Sequence, residues 1–313
     1  MSSVAPLLVL AGATATGKTG LAIRLALALR ADGIAAEVIS ADSRQVYRGL
    51  DIGTAKATLA ERAGVPHHGL DLVDPDAPFS VADFADHARG ALAAIGASGG
   101  LAILAGGTGL YLRAIARGLD TTALPSDAGI RAGLEAELLR LGLAPLAERL
   151  RGLAPERAAR LDLANPRRVV RALEIAMIDG GRGPLPAPRG YGGAVAWLGL
   201  AVPAATHAVW IATRARAQFE AGLIEEARAL RVRYDPALPA FSAIGYREAW
   251  AVLDGTLTRE AAIAADAQRN LAFAKRQRTW FRAEPGITWL DPTAGDALGP
   301  SLDLARGLLA VDR

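Results

Sequence analysis

The segment Gly12-Ala13-Thr14-Ala15-Thr16-Gly17-Lys18-Thr19 limits what this chain can fold into more than any other stretch. It fits the pattern G-x-x-x-x-G-K-[ST], in which a glycine-rich turn cradles phosphate oxygens. The apolar run LLVLA (7 to 11) precedes it, and TGLAIRLALALRA follows with the apolar density of a buried helix. Strand, glycine-rich turn and helix is the context that the pattern requires. Gly12 and Gly17 let the backbone curl so that its N–H groups converge on one anion. The following helix adds the positive end of its dipole. Lys18 supplies a point charge and Thr19 a hydroxyl ligand for Mg²⁺. Which phosphates sit there, and whether they are broken or only released, is the question the motif raises.

The rest of the chain places this loop in an α/β fold. EVISA (37 to 41) and LAILA (101 to 105) read as further strands, delivering DSRQVY and GGTGLY respectively. Ser80, three residues before Asp83, signals a capped helix over roughly 80 to 96. Strands alternating with helices predict a P-loop NTPase-like core around a mostly parallel sheet covered on both faces. From about residue 120 the texture changes to short helical stretches punctuated by Pro and Gly, and no strand signal returns until GAVAWLGLA (193 to 201). We therefore expect an inserted all-helical domain at 120–191, within a core made of 1–119 and 192–313. GRGPLPAPRGYGG (181 to 193) is the expected return linker. ITWLD (287 to 291) is a late strand.

Composition narrows the chemistry. With no cysteine, disulfides and thiolate zinc sites are excluded, and four histidines make a poor case for a histidine-built metal site. No uncharged apolar run approaches the roughly 18 residues of a membrane span. MSSVAPLLVLAGA lacks a basic leader and runs straight into the phosphate loop, so it reads as a first strand. A soluble cytoplasmic protein, monomeric and without a membrane partner, is expected. The net charge is only +3, yet 32 of the 35 basic residues are Arg, a bias that codon usage accounts for. Clustering says more. NPRRVVR (165 to 171) and AQRNLAFAKRQRTWFR (267 to 282) hold three and five basic residues and no acid; the second also carries three aromatics.

Enzymes that transfer a γ-phosphoryl group usually place a second carboxylate at a strand end to hold Mg²⁺. Here LAILA runs into GGTGLY without one, and the acid available at a strand end is Asp42. The loop therefore suits a diphosphate that is held without nucleotide hydrolysis.

Seven stretches together point to one family: GATATGKT (12 to 19), ISADSRQVYRGLDIGTAK (39 to 56), PHHGLD with DPDAPFSVADF (66 to 84), LAGGTGLYLRAI (104 to 115), NPRRVVRALEI (165 to 175), AIGYREAW (243 to 250) and AKRQRTWFR (274 to 282). In these motifs the chain resembles the tRNA dimethylallyltransferases, or tRNA isopentenyltransferases, in their bacterial form. The resemblance implies transfer of a dimethylallyl group from dimethylallyl diphosphate to N6 of an adenosine beside the anticodon, with Mg²⁺ required and diphosphate released. It implies that the loop holds a leaving group where relatives of the fold bind ATP; the sequence leaves open whether ATP binds there too.

By the same resemblance, residues 12 to 19 bind the diphosphate, and Lys18, Thr19, Arg214, Asp42 and Thr108 form the catalytic set. Asp42 suits a general base for the weakly nucleophilic amine, with a Mg²⁺ contact or a helix cap as alternatives. Thr108 suits an RNA contact, with a capping turn as alternative. Segments implied to meet the anticodon stem-loop of tRNA are Asp42, Ser43, Arg44 and Gln45; Arg131; Arg167, Arg168, Val169, Val170 and Arg171; Ser242, Ala243, Ile244, Gly245, Tyr246 and Arg247; and Lys275, Arg276, Gln277, Arg278, Thr279, Trp280, Phe281 and Arg282. The chain departs from the family pattern at Ser242 and Trp210, both positions where relatives often carry a basic residue. Two other enzyme classes share the loop: a small-molecule kinase, and a prenyltransferase acting on free adenine nucleotides. A non-catalytic RNA-binding module is the reading from outside enzymology. The missing carboxylate, the two basic segments and the intact Lys18, Thr19 and Asp42 weigh against these in turn.

Overall fold

The computed structural model describes residues 4–121, 124–183 and 187–311. Its contacts divide the chain into two compact units, one running up to Gly118 and resuming at Gly190, the other spanning Leu119–Arg189. Of the expected return linker, residues 184–186 lie outside the described part; 187–193 have no regular structure.

The first unit is built on a sheet of β1 (Leu7–Gly12), β2 (Ala36–Ser40), β3 (His67–His68), β4 (Leu101–Gly106), β5 (Val195–Leu200) and β6 (Ile287–Leu290). The order is β3-β2-β4-β1-β5-β6, and every ladder among the described residues is parallel. Its helices are α1 (Lys18–Ala31), α2 (Leu59–Arg62), α3 (Val81–Ala97) and α4 (Gly109–Ala116) before the second unit. The second unit holds α5 (Ala128–Leu141), α6 (Leu143–Leu153), α7 (Pro155–Ala159) and α8 (Pro166–Asp179). The first unit then resumes with α9 (Ala204–Glu220), α10 (Leu223–Arg233), α11 (Tyr246–Leu253), α12 (Arg259–Arg282) and α13 (Leu298–Val311).

A sheet covered on both faces needs strands that are apolar at every position, and β1 and β4 are buried throughout. Leu8 and Leu10 share a core with Leu21, Leu25 and Leu29 of α1 and with Ala305 and Leu308 of α13. The alternation of side chains along a strand sends Leu7, Val9 and Ala11 to the opposite face, and α4 and α12 also pack on β1. The Ser80–Asp83 capping box is formed at the start of α3, each residue satisfying the other's backbone N–H. Strand β3 was not foreseen. It is two histidines long, too short and too polar for a periodicity signal, and exists as a strand through its pairing with Val38 and Ile39.

The second unit closes on its own apolar core of Leu134, Leu146, Leu150, Val169 and Leu173. Within it Glu174 is fully buried and receives Arg131 (Nε, 2.9 Å) and Arg171 (Nη1, 2.8 Å). Burial alone would raise this carboxyl, but the two guanidinium groups overcome it and hold the pKa at about 2.

Two features of the first unit bring distant strand ends together. Gly106 lies where β4 passes β2 so closely that a Cβ would stand 2.2 Å from the Ala41 carbonyl oxygen. The segment 42–56 after β2 is folded back by internal bonds. Lys56, nearly buried, donates to the Tyr47 carbonyl (2.9 Å), Asp51 (2.6 Å) and Asp71 (2.5 Å). The Glu226 carboxylate accepts the consecutive N–H groups of Asp51 (3.2 Å), Ile52 (2.8 Å) and Gly53 (3.1 Å), and the Tyr246 hydroxyl besides (2.7 Å).

Gly106→Ala should therefore cost about 3 kcal/mol of stability or prevent folding, since the clash is with the backbone of Ala41, which cannot swing aside as a side chain could. A denaturant midpoint close to that of the unmodified chain would show that the strands can part there.

Candidate active site

The carboxyl ends of β1, β4 and β2, neighbours in the sheet, open on one cavity of about 900 Å³. Crevices at this edge of a parallel sheet, where the strand order reverses, are the usual ligand sites of such folds. The loop from Gly12 to Thr19 forms its floor. Gly17 takes a left-handed conformation (φ 87°) at the start of α1, and Ala15 does so without being glycine (φ 57°). Strain of this kind, of order 1–3 kcal/mol, persists only where the surroundings enforce it. The N–H groups of Ala15, Thr16, Gly17, Lys18 and Thr19 have no hydrogen-bond partner among the described residues. They are left for a ligand. The Lys18 ammonium curls back on the Ala13 carbonyl (2.5 Å).

Lys18 is half-buried along the cavity wall. Loss of water around its ammonium, reinforced by the neighbouring Arg214 and opposed by Asp42, brings its pKa down to about 7. Arg214, from α9, donates to the Thr14 hydroxyl (3.0 Å) and the Thr54 carbonyl (3.4 Å), so it joins the phosphate loop to the segment after β2. Both cations stand ready for an anion of more than one charge.

Asp42 lines the same cavity. One oxygen, Oδ1, accepts the Arg44 N–H at 2.8 Å in a tight turn, and Oδ2 has no partner among the described residues. No helix follows it, so the capping alternative fails: residues 43–46 form turns, and the next helix starts at Leu59. Thr108 does not cap α4 through its side chain either; its hydroxyl oxygen accepts the Ser43 N–H at 3.0 Å. The turn carrying Asp42 is thereby fastened to the loop after β4, which contains no carboxylate. Among the described residues no cluster of three His, Asp or Glu side chains could hold a metal. A cation here must share its ligands with phosphate and water, as Mg²⁺ commonly does, and the Thr19 hydroxyl and the Asp42 carboxylate on the cavity wall fit that donor set.

The residues assigned to RNA from sequence divide into exposed and buried. Arg167, Arg168, Arg247, Lys275, Arg276, Thr279 and Arg282 are exposed. Val169, Val170, Ala243, Tyr246, Gln277 and Phe281 are buried, so their side chains offer no surface, a correction to reading these segments as continuous contacts. Gln45 is an internal brace, donating to the Thr54 (3.1 Å) and Ala55 (3.3 Å) carbonyls. Arg44 reaches the Pro239 carbonyl (2.9 Å), which also accepts the Ser242 hydroxyl (2.7 Å). Ile244 is half-buried, and Gly245 opens α11 with φ 108°. Arg131 and Arg171 are engaged with Glu174, and Arg278 is half-buried against His207. Trp280 packs over Gly109 and under the Arg113 guanidinium at 4.6 Å.

His207, and the part played by Gln277, escaped the sequence reading. Their signal was present as polar residues at inward helical positions. His207, Ile211, Arg214 and Gln218 follow one face of α9, and three of these four are buried. Trp210 and Phe273 also line the cavity and give it an aromatic wall.

The model of the IPP transferase family matches residues 45–284. The chain belongs to the IPP transferase family. It is 47% identical over 291 residues to a tRNA dimethylallyltransferase of Anaeromyxobacter sp. (strain K), covering 91% of this chain and 93% of the relative. The crystal structure of the full-length tRNA isopentenylpyrophosphate transferase from Bacillus halodurans matches with a TM-score of 0.71 at 38% identity, covering 98% of this chain and 97% of that one. A eukaryotic dimethylallyltransferase acting on tRNA, 23% identical, shares the fold (TM-score 0.73; 98% of this chain, 78% of that one).

For this IPP transferase the low pKa of Lys18 has a measurable effect. With a pKa of about 7 the free ammonium should be mostly deprotonated at pH 8.5, and a diphosphate monoester bound beside it should restore the charged form. Binding should take up close to one proton, read by calorimetric titration in buffers of different ionisation enthalpy. Zero uptake would mean that Lys18 is charged before the ligand arrives.

Proposed function

We propose that this protein transfers a dimethylallyl group from dimethylallyl diphosphate to N6 of an adenosine beside the anticodon of tRNA, releasing diphosphate. The observation that carries the reading is the Asp42 carboxylate, with one oxygen unengaged, facing the same cavity as a phosphate loop whose neighbouring strand end has no metal-binding acid. Its family membership and its similarity to tRNA dimethylallyltransferases support the substrate classes.

The residues act as follows. The unengaged N–H groups of the loop, with Lys18 and Arg214, hold the diphosphate and stabilise the charge that builds on its bridging oxygen as the allylic C–O bond breaks. The Thr19 hydroxyl and the Asp42 carboxylate are the residues that would hold Mg²⁺, which would supply further stabilisation of the charge on the diphosphate. As N6 bonds to the allylic carbon, its proton passes to Asp42 Oδ2. Thr108 keeps that carboxylate in place through the Ser43 N–H. Trp210 and Phe273 exclude water from the prenyl group, which otherwise would be captured as the alcohol. An adenine stacked within a loop cannot reach this floor, so it must be splayed out. The exposed bases Lys275, Arg276 and Arg282 offer the phosphate contacts that hold the RNA meanwhile. Among the described residues no helix is long and apolar enough to cross a membrane.

Mass spectrometry of tRNA nucleosides after incubation with dimethylallyl diphosphate and Mg²⁺ tests the reaction, and unmodified adenosine would end it. Asp42→Asn should lower kcat by about 10²–10⁴-fold with little change in KM. If added Mg²⁺ restores the mutant's rate, the carboxylate serves the metal instead. The tRNA affinity should fall steeply with salt. Replacing Lys275, Arg276 or Arg282 by Ala should lower the slope of log K against log salt by roughly one unit or less each. Parallel salt plots in filter binding would remove that surface from the interface.

A further inference from the structure

Thr14 lies in the middle of the phosphate loop, and each of its polar groups is gripped by a different side chain. Its N–H donates to Gln277 Oε1 at 2.8 Å. Its carbonyl accepts from His207 Nε2 at 2.8 Å. Its hydroxyl accepts from Arg214 at 3.0 Å. The Gln277 amide is itself fixed, donating through Nε2 to the Gly107 carbonyl at 2.9 Å. His207 is fixed as well, for Arg278 Nη1 donates to its Nδ1 at 3.0 Å. A carbonyl only accepts and a guanidinium only donates, so His207 must be the neutral tautomer carrying its proton on Nε2. His207 is 1% exposed and Gln277 7%, so both bonds to Thr14 come from side chains largely withdrawn from the surface. Neither group is needed for burial alone: both are polar side chains placed where α9 and α12 would otherwise present apolar ones.

We propose that Gln277 and the His207–Arg278 pair are positioning residues, which lock the Thr14 peptide and so hold the remaining N–H groups of the loop in the arrangement that receives a diphosphate. The proposal rests on the diphosphate reading of the loop. It explains how the left-handed turn at Ala15, next to Thr14, is maintained. It also reassigns the inward face of α12: Gln277 and Arg278 serve the phosphate loop, while Lys275, Arg276 and Arg282 face outward on the same helix.

The histidine provides a readout that a merely structural role would not move. Burial lowers the His207 pKa below the ordinary 6.5 against the opposing pull of the Thr14 bond, and the charged groups that face it, Arg278 from α12 and Lys18 from the loop, both cations, lower it further. Neutral His207 holds the loop above that range. As the pH falls through the lowered value, a proton on Nδ1 takes the lone pair that Arg278 uses; the Nε2–H bond to the Thr14 carbonyl favours the charged ring and persists, but the His207–Arg278 pair that orients it is broken. Glutamine at this position offers one donor and one acceptor but does not titrate.

The test is calorimetric titration of dimethylallyl diphosphate, and separately inorganic pyrophosphate, into the full chain between pH 5 and 8. Wild type, His207→Gln, His207→Leu and Gln277→Ala are compared, with circular dichroism confirming each fold. Protonation of the ligand is common to all, so the ratio of dissociation constants is the quantity read. Relative to His207→Gln, wild type should lose about tenfold in affinity as the pH drops to 5, and the two should agree within a factor of about three at pH 8. His207→Leu and Gln277→Ala should bind about tenfold more weakly at every pH, the loss expected for one buried hydrogen bond. Their tRNA salt slopes should not change. A wild-type to His207→Gln ratio that stays constant with pH overturns the proposal, and so does Gln277→Ala binding within twofold of wild type. If His207→Leu fails to fold, the glutamine comparison still decides. Wild type that binds neither diphosphate would overturn the functional reading along with this one.

Discussion

Everything at the site depends on three parallel strand ends being held level and close. Gly106 is the condition for this, because only a residue without a side chain lets β4 pass the Ala41 carbonyl at that distance. Once it does, the Ala41 N–H bonds to Ala105 (2.8 Å) and the Thr108 N–H to Ala41 (3.2 Å), so the loops after β2 and β4 leave the sheet already joined. The Thr108 hydroxyl then meets Ser43, and Asp42 is delivered opposite the phosphate loop without reliance on any long side chain. A carboxylate on a short, hydrogen-bonded turn has little rotamer freedom left to lose, which is what a proton acceptor in a crowded cavity needs.

The electrostatics follow from the same closeness. Lys18 and Arg214 are two cations within one another's field; Asp42 offsets part of their mutual repulsion, and Asp266 acts on Arg214 besides. Such a site is unfavourable when empty and is relieved by a multiply charged ligand. Burial first, and then Arg214, lower the Lys18 pKa, so the empty site gives up this proton readily and a bound anion favours its return.

How far the sequence could be read depended on whether a residue's role was local. The phosphate loop, the Ser80–Asp83 cap and the apolar strands β1 and β4 are written in consecutive residues, and their positions in the fold agree with that reading. Strand β3 could not be read so, because His67 and His68 become a strand only through Val38 and Ile39. The same holds within the site. Lys18, Thr19 and Asp42 stand in recognisable motifs. His207 and Gln277 act on Thr14 across 193 and 263 residues of chain; their inward helical positions mark them as buried polar residues but do not name that partner. Basic clustering in residues 275 to 282 pointed to a surface, yet helical geometry splits that run, turning Gln277 and Phe281 inward and leaving Lys275, Arg276 and Arg282 outside.

The carboxylate of Glu226, seated among the N–H groups of Asp51, Ile52 and Gly53, also bears on how firmly the cavity wall is held. Consecutive backbone N–H groups converging on one point form a nest that binds phosphate as readily as carboxylate. This one lies in the segment that goes on to Thr54 and Ala55 on the cavity wall, within a short distance of the phosphate loop. Asp51, Ile52 and Gly53 do not line the cavity themselves; with Glu226 closing their N–H groups onto one carboxylate, they form a fixed footing for the wall residues that follow them.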